Sequence, residues 1–312
     1  MLPHAPLQPL NLSWLTAAGV DVAILRLDLI DPLISGNKWF KLTHHLVAAK
    51  KAGAEGLISL GGAHSNHLHA LAAAGKRFGF ATVGLLRGHP VETPTVRDLQ
   101  AFGMELHWLG YAGYRARHDP DFWLPWRERY PQLHPVPEGG GGLDGALGCA
   151  DIVLQARQQL AELGWDEYDG WWLACGTGTT LAGLVLAENG HRHVYGAMAV
   201  PEGHGVAENV ATILGAQAGC GYELLHASRG GFAQADSELM AFITASEEAS
   251  GVPLEPLYTA KALLALQEGV VKGRFAKGTR LIFIHTGGLQ GKRAMTSDRP
   301  SPAVLLRDVR LL

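Results

Sequence analysis

The stretch WWLACGTGTTLAGLVLA, residues 171–187, changes character twice. It opens as a short apolar run suited to a strand buried on both faces, breaks at Cys175-Gly176-Thr177-Gly178-Thr179-Thr180, and resumes with the apolar residues of a buried helix. A strand that ends in glycines and feeds a helix is the repeating step of an α/β fold. The same rhythm extends outward from this segment in both directions. Strands are predicted at Val22 to Leu27, Gly56 to Leu60, Thr82 to Arg87, Glu105 to Leu109, Trp171 to Cys175, Val194 to Val200, Glu223 to His226 and Arg280 to His285. Helices are predicted near Lys38 to Ala52, Asn66 to Phe78, Asp144 to Leu163, Thr179 to Asn189, Ala235 to Ser250 and Ala260 to Lys272. Gly53, Gly79, Gly164 and Gly190 stand where C-terminal caps belong. The aperiodic PQLHPVPEGGGGLDG, residues 131–145, is the best place for a crossing between domains.

Chemistry gathers where strands hand over to helices. In the loop Gly176 to Thr180, small residues let backbone N–H groups converge, a helix N-terminus adds positive potential, and Thr177, Thr179 and Thr180 add hydroxyls. The loop lacks the Gly-Lys-Ser/Thr ending of a nucleotide-triphosphate site, and Leu181 stands where a dinucleotide fingerprint has its third glycine. A ligand with one compact phosphate fits it better than either, the bland alternative being a tight turn. Ser35-Gly36-Asn37-Lys38 is a second changeover, delivering Lys38 to the first turn of a helix. There the helix dipole and partial burial both disfavour the ammonium, which leaves the neutral amine that Schiff-base formation needs. Taken alone, the segment suits a solvated lysine at a helix start better, and Lys38 needs support from elsewhere in the chain. A third changeover, Gly61-Gly62-Ala63-His64-Ser65-Asn66-His67, ends one strand and starts a helix; Ser65 and Asn66 can cap that helix or face a ligand. His64, His67 and His69 fall on different faces with no Cys or carboxylate nearby, so no metal is expected.

Composition narrows the classes. The chain has 312 residues, 47% apolar and 18% charged, and a formal charge of -3, and it carries no Lys/Arg run that could track a nucleic acid. Two domains are expected from that length. No apolar stretch reaches membrane-spanning length, and MLPHAPLQPLNL lacks the regions of a signal peptide, so a cytoplasmic location is expected. Cys149, Cys175 and Cys220 are too scattered for a disulfide framework.

Five motifs in order, SGNKWFKL, GGAHSNH, CGTGTT, LEPLYTAKAL and IHTGG, spread over about Arg26 to Gly288, carry a resemblance. The chain resembles the fold type II pyridoxal-phosphate enzymes, whose architecture is like the tryptophan synthase β subunit, and within them the D-cysteine desulfhydrase and 1-aminocyclopropane-1-carboxylate deaminase group. The resemblance implies two open α/β domains with pyridoxal 5'-phosphate in the cleft between them, and a homodimer. We place the larger domain at 1–42 and 139–312 and the smaller at 43–138. By the same resemblance Lys38 looks like the Schiff-base lysine, Asn66 the partner of the pyridine 3-oxygen, Gly176, Thr177, Gly178, Thr179 and Thr180 the phosphate cup, and Thr286 the group facing the pyridine nitrogen. Ser65, Asn66, His67 and Tyr258 then look like substrate contacts, with Lys38, Ser65 and Tyr258 as the catalytic set.

Deaminase-type members typically have Glu after the tyrosine and Leu in the HxGG turn, whereas desulfhydrase-type members have Thr at both, as Thr259 and Thr286 are here. A threonine leaves the pyridine nitrogen largely neutral, a weaker electron sink that still suits loss of a β-thiolate better than opening a cyclopropane. The expected reaction is therefore β-elimination on a small amino acid, D-cysteine first, to pyruvate, sulfide and ammonia; the alternative is 1-aminocyclopropane-1-carboxylate deamination. Where better-known members read G-Y-G, this chain has Gly230-Gly231-Phe232-Ala233, without the tyrosine hydroxyl. Two other classes remain. A hydrolase lacks its G-x-S-x-G elbow, although Ser65 with a nearby histidine could mimic one, and a non-catalytic small-molecule binder could keep the same fold.

Overall fold

The computed structural model of the chain describes residues 4–231 and 234–294. Its strands are β1 (Leu7–Pro9), β2 (Asp21–Arg26), β3 (Gly56–Gly61), β4 (Ala81–Leu86), β5 (Glu105–Trp108), β6 (Leu133–Pro135), β7 (Gly170–Cys175), β8 (His193–Met198), β9 (Tyr222–His226) and β10 (Arg280–His285). They form a six-stranded sheet in the order β1-β2-β10-β7-β8-β9 and a four-stranded sheet in the order β5-β4-β3-β6. Every pairing is parallel except that of β1 with β2. Parallel strands joined through helices are covered on both faces, which is why they read as continuous apolar runs. Along β2, β7 and β10 alternate residues enter different cores: Ala23, Leu25, Trp171, Ile282 and Ile284 pack in one, Val22, Ile24, Trp172, Leu281 and Phe283 in the other.

All eight strands expected from the sequence are present, with ends moved by a residue or two. The two that sequence patterning missed, β1 and β6, are three residues long, contain Pro9 and Pro135, and lie at sheet edges. Proline is tolerated there because an edge needs no N–H on its outer side. One expected helix is corrected. Asp144 to Leu163 is not continuous but divides into Gly142–Cys149, Asp151–Arg157 and a 3-10 turn Leu160–Leu163. The first piece is wedged between two helices: a Cβ on Gly148 would stand 2.1 Å from Phe40 O, and one on Gly183 would stand 2.3 Å from Ala146 O. Beyond the break, Gln155 and Gln159 accept from the N–H groups of Ala5 and Leu7 at 3.0 Å, tying this stretch to the segment before β2. The helices Pro94–Ala101 and Val206–Leu214 were also not foreseen. The three cysteines are free, and no helix among the described residues is long and apolar enough to cross a membrane.

Candidate active site

The carboxyl ends of β2, β3, β6, β7 and β10 supply the site. Beyond β7, Gly178 is the N-cap of the helix Thr179–Glu188 with φ +76°, where a Cβ would lie 2.4 Å from Val210 Cγ2. Only glycine avoids both penalties. Thr177 Oγ1 and Thr179 Oγ1 are 3.0 Å apart, and the Asn209 amide donates to Thr177 O, fastening the loop to the helix Val206–Leu214. The result is a short arc of hydroxyls at the unpaired N–H groups of a helix start, an arrangement that favours an anion.

Beyond β2, Gly36 has φ +70°, and a Cβ on it would stand 1.9 Å from Thr286 O, so the turn lies directly against the end of β10. Asn37 donates its backbone N–H to Thr286 O at 3.2 Å and its side-chain amide to Thr180 Oγ1 at 2.9 Å. This residue thereby pins the start of the helix Asn37–Lys51 to both the anion loop and β10. Lys38 and Lys41, one turn apart on that helix, both point their Nζ at Gly139 O, 3.4 Å away in each case. Lys41 Nζ is also 3.5 Å from Thr177 Oγ1. Burial, and next the neighbouring charge of Lys41, hold the Lys38 ammonium well below the ordinary lysine pKa; burial also lowers Lys41. A lysine kept neutral in this way is a ready nucleophile.

Beyond β3, Ser65 caps the helix Asn66–Phe78, its Oγ accepting from Leu68 N at 3.1 Å. Asn66 Oδ1 accepts from Gln290 Nε2 at 2.9 Å, and its Nδ2 lies 2.8 Å from where a Gly288 Cβ would be. His67 is buried. Ser59 Oγ donates its hydrogen to Val136 O at 2.8 Å, so in its contact with His67 Nε2, also 2.8 Å, Ser59 Oγ accepts, which makes Nε2 the donor and leaves Nδ1 a bare acceptor. Nδ1 has no partner among the described residues, and burial lowers the ring's pKa well below the ordinary histidine value. His64 is exposed, and His69 pairs with Asp98 at 3.2 Å.

At the end of β10, Thr286 is half-buried beside Gly36. His285 before it donates Nε2–H to Pro253 O at 2.7 Å and accepts Gly287 N–H on Nδ1 at 3.2 Å, which holds the turn. Tyr258, the N-cap of the helix Thr259–Val271, lays its ring on the anion loop: Cε1 is 3.0 Å from where a Cβ on Gly176 would be. Burial, then Glu255 and Glu138, push its phenol pKa up, so the hydroxyl keeps its proton. Thr259 is fully buried and its hydroxyl donates to Glu255 O at 3.2 Å, a commitment within its own turn.

Lys38, Asn66, Tyr258, Thr286 and the Gly176–Thr180 loop thus meet at one group of strand ends, whereas the Ser65 hydroxyl is engaged in capping. Phe232 lies outside the described residues. Sequence reasoning passed over Asn37, Lys41, Gly139, Asn209, Glu255 and Gln290. Lys41 alone had a local signal, its i+3 spacing from Lys38 on a helix.

The sequence model of a family described as "Pyridoxal-phosphate dependent enzyme" matches residues 4–287. A protein of Pyrococcus horikoshii named "Putative 1-aminocyclopropane-1-carboxylate deaminase" is 29% identical over 296 residues, spanning 88% of this chain and 86% of that one. A D-cysteine desulfhydrase of Klebsiella pneumoniae is 25% identical, spanning 86% of this chain and 87% of its own. A crystal structure of an ACC deaminase homologue superposes with TM-score 0.76 at 28% identity, covering 93% of this chain and 91% of the other.

Proposed function

Because this chain belongs to the pyridoxal-phosphate dependent enzyme family, we propose that it is a lyase acting by β-elimination on a small amino acid, D-cysteine first. Its relatives carry both deaminase and desulfhydrase names, so the cofactor and the enzyme class follow from membership and the substrate is our reading. The observation that carries the site assignment is Lys38, its charge suppressed and its Nζ at Gly139 O beside Lys41, which shares that oxygen and reaches Thr177 Oγ1 of the Gly176–Thr180 loop. The residues fit the cofactor. Gly176, Thr177, Gly178, Thr179 and Thr180 with Lys41 would hold the phosphate, Lys38 the aldehyde carbon, Asn66 the 3-oxygen and Thr286 the pyridine nitrogen. The two sheets support a division into residues 1–42 with 139–312 and 43–138, the cofactor lying between them.

When bound, pyridoxal phosphate supplies an electron sink for the bond pair released at Cα. The chain's part is positioning and proton transfer. Ser65 through its hydroxyl, and Asn66 and His67 through the backbone N–H groups of the helix start, orient the substrate carboxylate, and the Lys38 amine takes the Cα proton; the His67 ring, its Nε2–H given to Ser59 and its Nδ1 an acceptor, has no proton to offer that carboxylate. Tyr258, kept protonated, gives its proton to the sulfur as the Cβ–S bond breaks. Across the reaction one water is taken up and pyruvate, hydrogen sulfide and ammonia leave. With the Thr286 hydroxyl rather than a carboxylate at the pyridine nitrogen, the sink would be weak, which favours elimination over ring opening. Assaying D-cysteine, L-cysteine, D-serine and 1-aminocyclopropane-1-carboxylate should give pyruvate from D-cysteine and little 2-oxobutyrate from the cyclopropane. Efficient 2-oxobutyrate release with no activity on D-cysteine would replace this reading by the deaminase one.

Lys41 has a separate expected effect. Replacing it with methionine removes a charged donor to the phosphate, so cofactor affinity should fall about 10-fold or more. Removing the like charge should also raise the Lys38 pKa. Acylation of Lys38 in cofactor-free protein, followed against pH, should then shift to higher pH; an unshifted profile with unchanged affinity would remove Lys41 from the site.

A further inference from the structure

Glu255 is fully buried, yet its carboxylate reaches three successive backbone donors. Leu257 N donates to Oε2 at 2.8 Å, and Tyr258 N and Thr259 N donate to Oε1 at 2.8 and 2.5 Å. An ordinary helix cap satisfies one such group. The Thr259 hydroxyl, accepting from Glu255 N at 3.1 Å, closes the same turn from the other side. Pro256 within it has no N–H and a fixed φ, so the turn has little freedom left. Tyr258 has φ -131° and ψ -68°, outside the helix it precedes, and this conformation sends its ring to Gly176. On its other flank Glu255 Cγ is 3.5 Å from where a Gly288 Cβ would be, a point that is itself 2.8 Å from Asn66 Nδ2. A single carboxylate thus stands behind the tyrosine and beside the turn that faces Asn66.

We propose that Glu255 is the positioning residue of Tyr258: by gathering the N–H groups of Leu257, Tyr258 and Thr259 it sets where the phenol stands over the anion loop. The inference rests on the role given to Tyr258 above. Glu255→Gln keeps the length but turns an NH2 group towards one of the three donors, so the turn must open. A misplacement of this kind costs about 10- to 10²-fold in turnover.

A double-mutant cycle on D-cysteine tests it. Glu255→Gln should lower kcat with KM nearly unchanged, and should cost nothing further in a Tyr258→Phe background, because the group it positions is already gone. Losses that multiply, or a wild-type rate for Glu255→Gln, would overturn the proposal. Wild-type turnover by Tyr258→Phe alone would instead remove Tyr258 from the reading above, and this inference with it. A second readout needs neither cofactor nor turnover. With 3-fluorotyrosine incorporated, the resonance that disappears in Tyr258→Phe should shift or split in Glu255→Gln, while those of the other six tyrosines hold still; an unmoved resonance overturns the proposal. Should Glu255→Gln fail to fold, Glu255→Asp keeps the charge on a stem too short to reach all three donors and is expected to behave alike in both measurements.

Discussion

Lys38→Ala is expected to lower elimination from D-cysteine by on the order of 10⁴-fold, the upper range for loss of a positioned acid–base group. The effect is large because no neighbour can take over. Lys41 lies one turn away, but its Nζ is turned to Thr177 Oγ1, where a phosphate would hold it. Lys261 is buried elsewhere, its Nζ bonded to Ser228 O at 2.8 Å and Gly231 O at 2.9 Å. Borohydride reduction of the loaded enzyme followed by peptide mapping should therefore label Lys38 alone, and Lys38→Ala should carry no label. A label on Lys41 or Lys261 would overturn the assignment.

The second large effect concerns the leaving group. Tyr258→Phe should slow D-cysteine elimination by about 10²-fold, the usual scale for a general acid. β-Chloro-D-alanine should be affected only a few-fold by the same substitution, because chloride departs without a proton whereas sulfide needs one. The high phenol pKa, caused by burial and then by Glu255 and Glu138, keeps that proton in place across neutral pH. Nor does the titration of Glu255 alter this near neutrality: burial raises its acid only to about 6, so it is a carboxylate at pH 7 and above. Equal losses on the two substrates would show that Tyr258 does not serve the departing sulfur.

Much of the fold was legible because its signals are local. Apolar runs bounded by glycines located eight strands, and Gly79 and Gly164, both left-handed, cap their helices as read. The failures were also local in origin. The edge strands β1 and β6 are short and carry prolines, and the helix expected from Asp144 to Leu163 is divided at Ala150 and at Gln158 and Gln159, residues that are neither proline nor glycine and so give no local mark of a break. Thr259 was read for its bearing on reaction type, yet its hydroxyl is committed to the turn of Glu255.

The sequence by itself determined an α/β chain with phosphate-suited glycine loops at strand ends and a lysine at a helix start, since periodicity and turn residues act over a few positions. Only the tertiary structure decided which of those ends face each other. Asn37 meets Thr180 across 143 positions, and Gly139 lies 101 positions from the lysine whose Nζ it receives. Such contacts arise from the order of strands in a parallel sheet, which no local pattern encodes. Burial, which lowers the Lys38 pKa and raises that of Tyr258, likewise exists only once those distant segments have closed over them.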